Sequence, residues 1–294
     1  IMIGKKKIGP ENPPFIVAEM SGNHNQSIEK ALAIVDAAAE SGAHALKLQT
    51  YTADTMTLDI KTKEFFIDAT DNPWKGMPLH KLYQKAHTPW EWHERIFEQC
   101  RKRKLICFST PFDESAVDFL EKLNVPAYKI ASFENTDLQL IRRVAKTGKP
   151  MIISTGMATA AELDETVQTA RKAGCQNLIL LKCTSTYPAN PDKTNLLSIP
   201  HMRKLFDAPI GLSDHTLGIG VAVASVAMGV CMIEKHFTLN RLDGGVDSTF
   251  SIEPKELQDL VIESKRASPS LTEIQIQELA ETALLPQRFH SVHV

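Results

Sequence analysis

The chain has 294 residues, 43% of them apolar, 23% charged and 6% aromatic, which is the composition of an ordinary soluble globular protein with a large buried core. Its 33 basic and 35 acidic residues leave a net charge of −2, so no overall field gathers polyphosphate and nucleic acid is not an expected partner. The longest apolar run, 221–233, contains Gly229 and three alanines and falls short of the roughly 18 to 20 residues that cross a bilayer, so no membrane partner is expected.

Residues 2–9 read as a small basic β-hairpin that plugs one end of the fold, and no apolar secretory segment accompanies them. From there short apolar runs alternate with amphipathic stretches. Strands are predicted at 15–18, 45–48, 105–108, 127–131, 151–154, 178–181, 210–213 and 231–235, and helices near 28–40, 90–103, 114–122, 137–146, 160–173, 197–206, 217–228 and 254–266. Ser27 stands where an N-cap belongs, Thr159 with Glu162 has the spacing of a capping box, and Gly42, Gly148, Gly174 and Gly229 follow periodic segments as left-handed helix ends do. Eight such pairs, with no GxGxxG after the first strand, predict the α/β class and a closed (β/α)8 TIM barrel rather than an open doubly wound sheet. The barrel domain is predicted over 1–267, with 268–294 a divergent tail. Residues 52–87, which include Pro73, Gly76 and Pro78, read as an elaborated loop over the active-site end. Five scattered cysteines without a CxxC pair suit buried thiols in a reducing cytoplasm.

In such a barrel the chemistry lies at the C-terminal ends of the strands. Those ends carry Glu19 with Asn23 and His24 just beyond, Lys47 and Gln49, Thr110, Lys129 with Ser132 and Glu134, Ser154, Lys182 and Thr184, Ser213 and His215, and Glu234 and His236. Lysine is rare inside a strand unless paired, so Lys47, Lys129 and Lys182 point to a phosphorylated or carboxylated ligand. The plainer alternative is that each lysine pairs with a neighbouring carboxylate. His215 and His236 stand at corresponding ends of adjacent strands, with Glu234 on the face of His236, a set suited to a divalent metal or, as the alternative, to acid–base catalysis without one. The other histidines lack such a setting, and His24 is intermediate because it lies in a loop at the active-site end. Glu134 and Asp247 are placed to move protons or to bind sugar hydroxyls.

The stretches Ala18-Glu19-Met20-Ser21-Gly22-Asn23-His24-Asn25, Lys47-Leu48-Gln49-Thr50-Tyr51, Ser109-Thr110-Pro111-Phe112-Asp113, Lys129-Ile130-Ala131-Ser132, Gly211-Leu212-Ser213-Asp214-His215-Thr216 and Glu234-Lys235-His236-Phe237 resemble, in order, the motifs of the sialic-acid-type synthases. These enzymes condense phosphoenolpyruvate with an amino-sugar aldehyde, and the resemblance covers roughly 2–267. It implies that Lys47, Thr110, Lys129, Ser132, Ser154 and Ser213 bind phosphoenolpyruvate. It also implies that His215 and His236, with Glu234 less central, hold a divalent metal, Mn²⁺ first and Mg²⁺ or Co²⁺ as alternatives. By the same resemblance Glu134 is the proton-transfer or cation-stabilising carboxylate, while Glu19, Gln49, Tyr187 and Asp247 face the sugar. Glu19, Glu134 and Lys129 are thus the candidate catalytic residues, and Asn23, Lys182 and Thr184 complete the candidate substrate contacts.

Within the family, the runs Met20-Ser21-Gly22, 49–56 and 87–93 look most like the branch whose acceptor is 2,4-diacetamido-2,4,6-trideoxy-altrose. The resemblance further implies a homodimer, and a small C-terminal antifreeze-like domain that is expected to be absent from this chain. Within the family the alternative is an N-acetylneuraminate or legionaminate synthase, and two alternatives stand outside it. One is an aldolase using Lys129 or Lys182 as a Schiff-base lysine; the other is a protein that binds these ligands without turnover.

Overall fold

The computed structural model describes residues 1–68 and 74–268, so Pro73 and the expected tail beyond 268 lie outside the described residues. Eight parallel strands close on themselves: β3 (Phe15–Glu19), β4 (Ala45–Thr50), β5 (Ile106–Pro111), β6 (Tyr128–Ile130), β7 (Met151–Ser154), β8 (Leu178–Cys183), β9 (Ile210–Asp214) and β10 (Met232–His236), with β10 returning to pair with β3. Strands covered by helices outside and packed side chains inside are apolar on both faces. That is why nearly every position in the eight strands is buried.

Alternation divides the strand residues between two clusters. Phe15, Val17, Ala45, Phe108, Ala127, Ile152, Ile179, Leu181 and Met232 fill the barrel interior. Ile16, Leu46, Leu48, Ile130, Ile153, Leu180, Leu212 and Ile233 face outward to the helices. The predicted hairpin is present as β1 (Met2–Ile3) paired with β2 (Lys6–Lys7). Ile3 and Ile8 are buried in the interior cluster, so the hairpin closes the N-terminal end of the barrel as expected.

Helix ends follow the local chemistry. The Ser27 hydroxyl accepts from the N–H of Lys30 at 3.2 Å to start the helix Ile28–Glu40. Thr159 and Glu162 form the reciprocal capping box ahead of Ala160–Lys172. Two predicted helices begin later than expected. Trp90–Trp92 is a tight 3₁₀ turn before His93–Lys102, and the helix expected from 217 starts at Gly220. The second difference arises because Gly218 takes φ +68° in the turn after β9, a conformation that cannot continue a right-handed helix. The long excursion after β4 folds into the helices Ala53–Met56 and Leu79–Ala86 and leads into the buried side-chain bond between Thr50 and His93, 2.8 Å long.

Candidate active site

The inward parity set by the interior cluster continues toward the C-terminal mouth through Glu19, Lys47, Gln49, Thr110, Lys129, Ser154, Cys183, Ser213, Glu234 and His236. Directly above the apolar layers lie the two lysines. The Lys47 ammonium pairs with Glu19 and donates to the Thr110 hydroxyl at 3.1 Å. The Lys129 ammonium donates to the Ser154 hydroxyl at 2.7 Å and lies 3.5 Å from Glu234, which also accepts from Ser213 at 3.1 Å. Each ammonium has three N–H donors, so each retains capacity for an incoming anion. Burial disfavours the charge on Lys47, yet Glu19 and Glu234 hold its pKa above the ordinary value. Burial likewise opposes ionisation of Glu234, but Lys129 and Lys47 pull its carboxyl down to about 2.

The pairing alternative is therefore realised in part, and it redistributes roles. Glu19 is fully buried and accepts from the Ser21 N–H at 3.2 Å and from Gln49 at 3.1 Å besides pairing with Lys47. It acts as a counterion that orients Lys47 and Gln49. Glu234 is a counterion in the lysine layer. Among the described residues no three His, Cys, Asp or Glu side chains converge as a preformed metal cluster, and the Glu234 carboxylate is already engaged by Lys129 and Ser213.

Lys182 requires a correction. Ile179 and Leu181 point inward on β8, so Cys183 shares their face and Lys182 shares that of outward Leu180. Its ammonium donates to the Thr184 hydroxyl at 2.7 Å. Two lysines rather than three line the mouth, and Lys182 is removed as a Schiff-base candidate. Asn23 is also committed elsewhere: its amide nitrogen donates to Phe237 O and the Ser251 hydroxyl, both at 2.9 Å, while its oxygen accepts from the Asp247 N–H at 3.3 Å. It positions the loop that carries Asp247. His24 braces this end of the barrel, bonding Thr88 at 3.2 Å and accepting from Gln26 N; burial pushes its pKa down to about 4.

Glu134 sits on the 3₁₀ turn Ser132–Glu134 after β6. One of its carboxyl oxygens is buried without a partner. Burial raises its pKa to about 7 even though Lys129 opposes the shift. The turn is fixed by Asn135, whose amide donates to Ser154 O and Gly156 O at 3.1 Å each. A Cβ at Gly156 would lie 2.1 Å from the Ser185 hydroxyl and 2.8 Å from that of Ser132. Glycine is thus required where Ser132 accepts the Gly156 N–H, at 3.2 Å.

The His215 and His236 rings stand 5.3 Å apart between centroids. His215 Nδ1 is 3.0 Å from Thr184 O, and an N–H donated there leaves Nε2 as the lone-pair donor. His236 Nδ1 is buried without a hydrogen bond and lies 3.5 Å from Asp247, whose carboxylate also accepts from the Ser21 hydroxyl. Two facing imidazoles with free lone pairs fit a divalent ion whose remaining positions are taken by water or a substrate oxygen. Tyr187 packs 4.5 Å from His215, and Phe250 lies 4.9 Å from His236, centroid to centroid.

Reading strand ends alone misses several residues here. Cys183 is found by extending the β8 parity. Phe250 and Asn135 carry no local signal, because an apolar wall and a buried turn amide acquire meaning only from their neighbours. Tyr83 comes from the helix Leu79–Ala86; its ring meets Tyr51 edge-on at 5.9 Å, and Tyr51 in turn meets Phe112.

A parallel barrel whose mouth holds two buried lysines, a row of hydroxyls and a histidine pair belongs to the enzymes that handle small anionic substrates at the strand ends. The NeuB family profile matches residues 34–275. The chain belongs to this family, the phosphoenolpyruvate-dependent synthases of nonulosonic acids, which are generally metal-dependent. It is 44% identical to the pseudaminic acid synthase of Helicobacter pylori over 261 residues, 89% of this chain and 76% of that protein. It is 34% identical to the N,N'-diacetyllegionaminic acid synthase of Campylobacter jejuni, over 87% of this chain and 77% of that protein. The crystal structure of an N-acetylneuraminic acid synthetase from Leptospira borgpetersenii, in complex with citrate, superposes with a TM-score of 0.85 at 32% identity and 98% coverage of each chain.

Proposed function

We propose that this protein condenses phosphoenolpyruvate with 2,4-diacetamido-2,4,6-trideoxy-altrose to give pseudaminic acid and phosphate. The observation that carries this reading is the gradient of identity: pseudaminic acid synthases stand above the legionaminic acid synthases among the relatives. The chemistry is assigned to residues of this chain. Lys47 and Lys129, with the hydroxyls of Thr110, Ser132, Ser154 and Ser213, bind the carboxylate and phosphate of phosphoenolpyruvate through charge-assisted bonds. Gln49, Tyr187, Tyr83 and Asp247 face the sugar. His215 and His236 would hold the divalent ion, Mn²⁺ by preference, which supplies Lewis-acid polarisation of the sugar aldehyde.

C3 of phosphoenolpyruvate forms the new bond to the aldehyde carbon, and the cation left at C2 is captured by water. Glu134, ionised, takes one proton of that water, and a proton is delivered in turn to the former aldehyde oxygen, which becomes the new hydroxyl. Phosphate then departs with cleavage of its C–O bond and carries off the remaining proton of the C2 hydroxyl, leaving the 2-keto group. The test is phosphate release from Mn²⁺-loaded protein, phosphoenolpyruvate and one acceptor at a time. Turnover is expected with the altrose derivative and not with N-acetylmannosamine or 2,4-diacetamido-2,4,6-trideoxy-mannose. Turnover confined to either of the latter would move the protein to another branch of the family.

The cradle is tested separately. Lys129→Met keeps most of the apolar stem but deletes the ammonium. A charge-assisted contact is worth roughly 1.5 to 3 kcal/mol, so phosphoenolpyruvate affinity is expected to fall about ten- to a hundredfold in a calorimetric titration. Unchanged affinity would leave Lys129 as a counterion of Glu234 alone.

A further inference from the structure

On the outward face of the two strands that end in the histidines lies a buried ion pair that the proposed reaction does not use. Lys235 precedes His236 and Asp214 precedes His215. The two are register partners on the last paired rung between β10 and β9. The Lys235 ammonium donates to Asp214 Oδ2 at 2.8 Å and to Thr216 O at 2.7 Å. The other Asp214 oxygen accepts from the Thr216 N–H at 3.0 Å and from its hydroxyl at 2.8 Å. Both charged side chains are only 1% exposed.

His215 therefore stands one residue beyond the ladder, in a turn gripped on both sides by a single ammonium of the neighbouring strand. That ammonium belongs to the residue before the second histidine. A buried ion pair is weak evidence of stabilisation, because desolvation offsets much of the attraction. Its geometric consequence is firmer: the pair ties the turn at 215–216 to the strand residue that precedes His236.

We propose that Lys235 and Asp214 are positioning residues that fix the separation of the His215 and His236 imidazoles and thereby set the affinity for the divalent ion. The inference rests on the reading of those histidines as metal ligands. Lys235→Met alone leaves a buried carboxylate uncompensated and threatens folding. The informative protein is Asp214→Asn/Lys235→Met, which removes both charges while Asn keeps an oxygen for Thr216. Mn²⁺ uptake by the apoprotein, followed by electron paramagnetic resonance, is compared among wild type, His215→Ala and the double variant. Melting temperatures and phosphoenolpyruvate affinity are measured in parallel.

Outer partners of metal ligands typically contribute about ten- to a hundredfold in affinity, and a loss of that size is expected in the double variant. Its melting temperature and phosphoenolpyruvate affinity should stay near wild type. Wild-type Mn²⁺ affinity in the double variant, with uptake lost in His215→Ala, would overturn the positioning role and leave the metal site intact. Equal uptake by wild type and His215→Ala would overturn both. A double variant that melts far lower yet binds Mn²⁺ normally would make the pair purely structural.

Discussion

Replacing His215 or His236 by alanine is expected to remove nearly all bound metal and to lower turnover by about a thousandfold or more, given the several kcal/mol that such an ion contributes to a polarised carbonyl. Metal content per chain and phosphate release measure the two effects. The barrel should still fold, because both rings sit at the mouth above the packed layers and their removal breaks no ladder hydrogen bond. His215 contacts Tyr187 and Phe250, and His236 contacts Phe250; each deletion therefore leaves a cavity at the rim and not in the core. Stoichiometric metal and full activity in both variants would remove the site.

The second large effect concerns Glu134. A positioned proton acceptor contributes about 10²- to 10⁴-fold, so Glu134→Gln is expected to lower kcat by that order with little change in phosphoenolpyruvate affinity. The pH dependence carries the sign. Burial raises the carboxyl to about 7, and the ionised form is the active one, so kcat/KM should fall as pH drops below about 7. That limb should vanish in the variant. Stability moves in the opposite sense. A carboxyl whose folded pKa is raised favours the folded state when protonated, so its contribution is full below the ordinary value of 4.5 and is lost as pH rises through about 7. Glu134→Gln, neutral throughout, should therefore be more stable than wild type above pH 7 in denaturant titrations. A variant that keeps the acidic limb would assign that limb to another group.

The protein's barrel is legible in its sequence because the periodicity of two and the alternation with helical segments are local properties. Residues 151–154 and 210–213, for example, read as strands without reference to anything else. The glycines at 42, 148, 174 and 229 announce their left-handed backbone equally locally, and all four take positive φ. The polar strand ends are legible for a related reason. Lysine, glutamate and histidine beside buried β-branched residues conflict with burial, and that conflict marks a site.

Tertiary structure alone decides which way each strand faces and what each polar group already holds. Sequence spacing makes Lys182 and Lys47 equivalent. The packing of Ile179 and Leu181 into the barrel turns Lys182 outward and brings Cys183 to the inner side, since a shift of one residue exchanges every side chain between faces. Glu19 and Asn23 read as free substrate contacts until Lys47, Gln49, Phe237 and Ser251 are seen to occupy their hydrogen-bonding capacity. Lys235 and Asp214 lie 21 residues apart, and only the pairing of β9 with β10 places them on one rung. The types and positions of the candidate site residues are thus determined locally, whereas their directions, partners and remaining valence depend on contacts between distant segments, which no local pattern encodes.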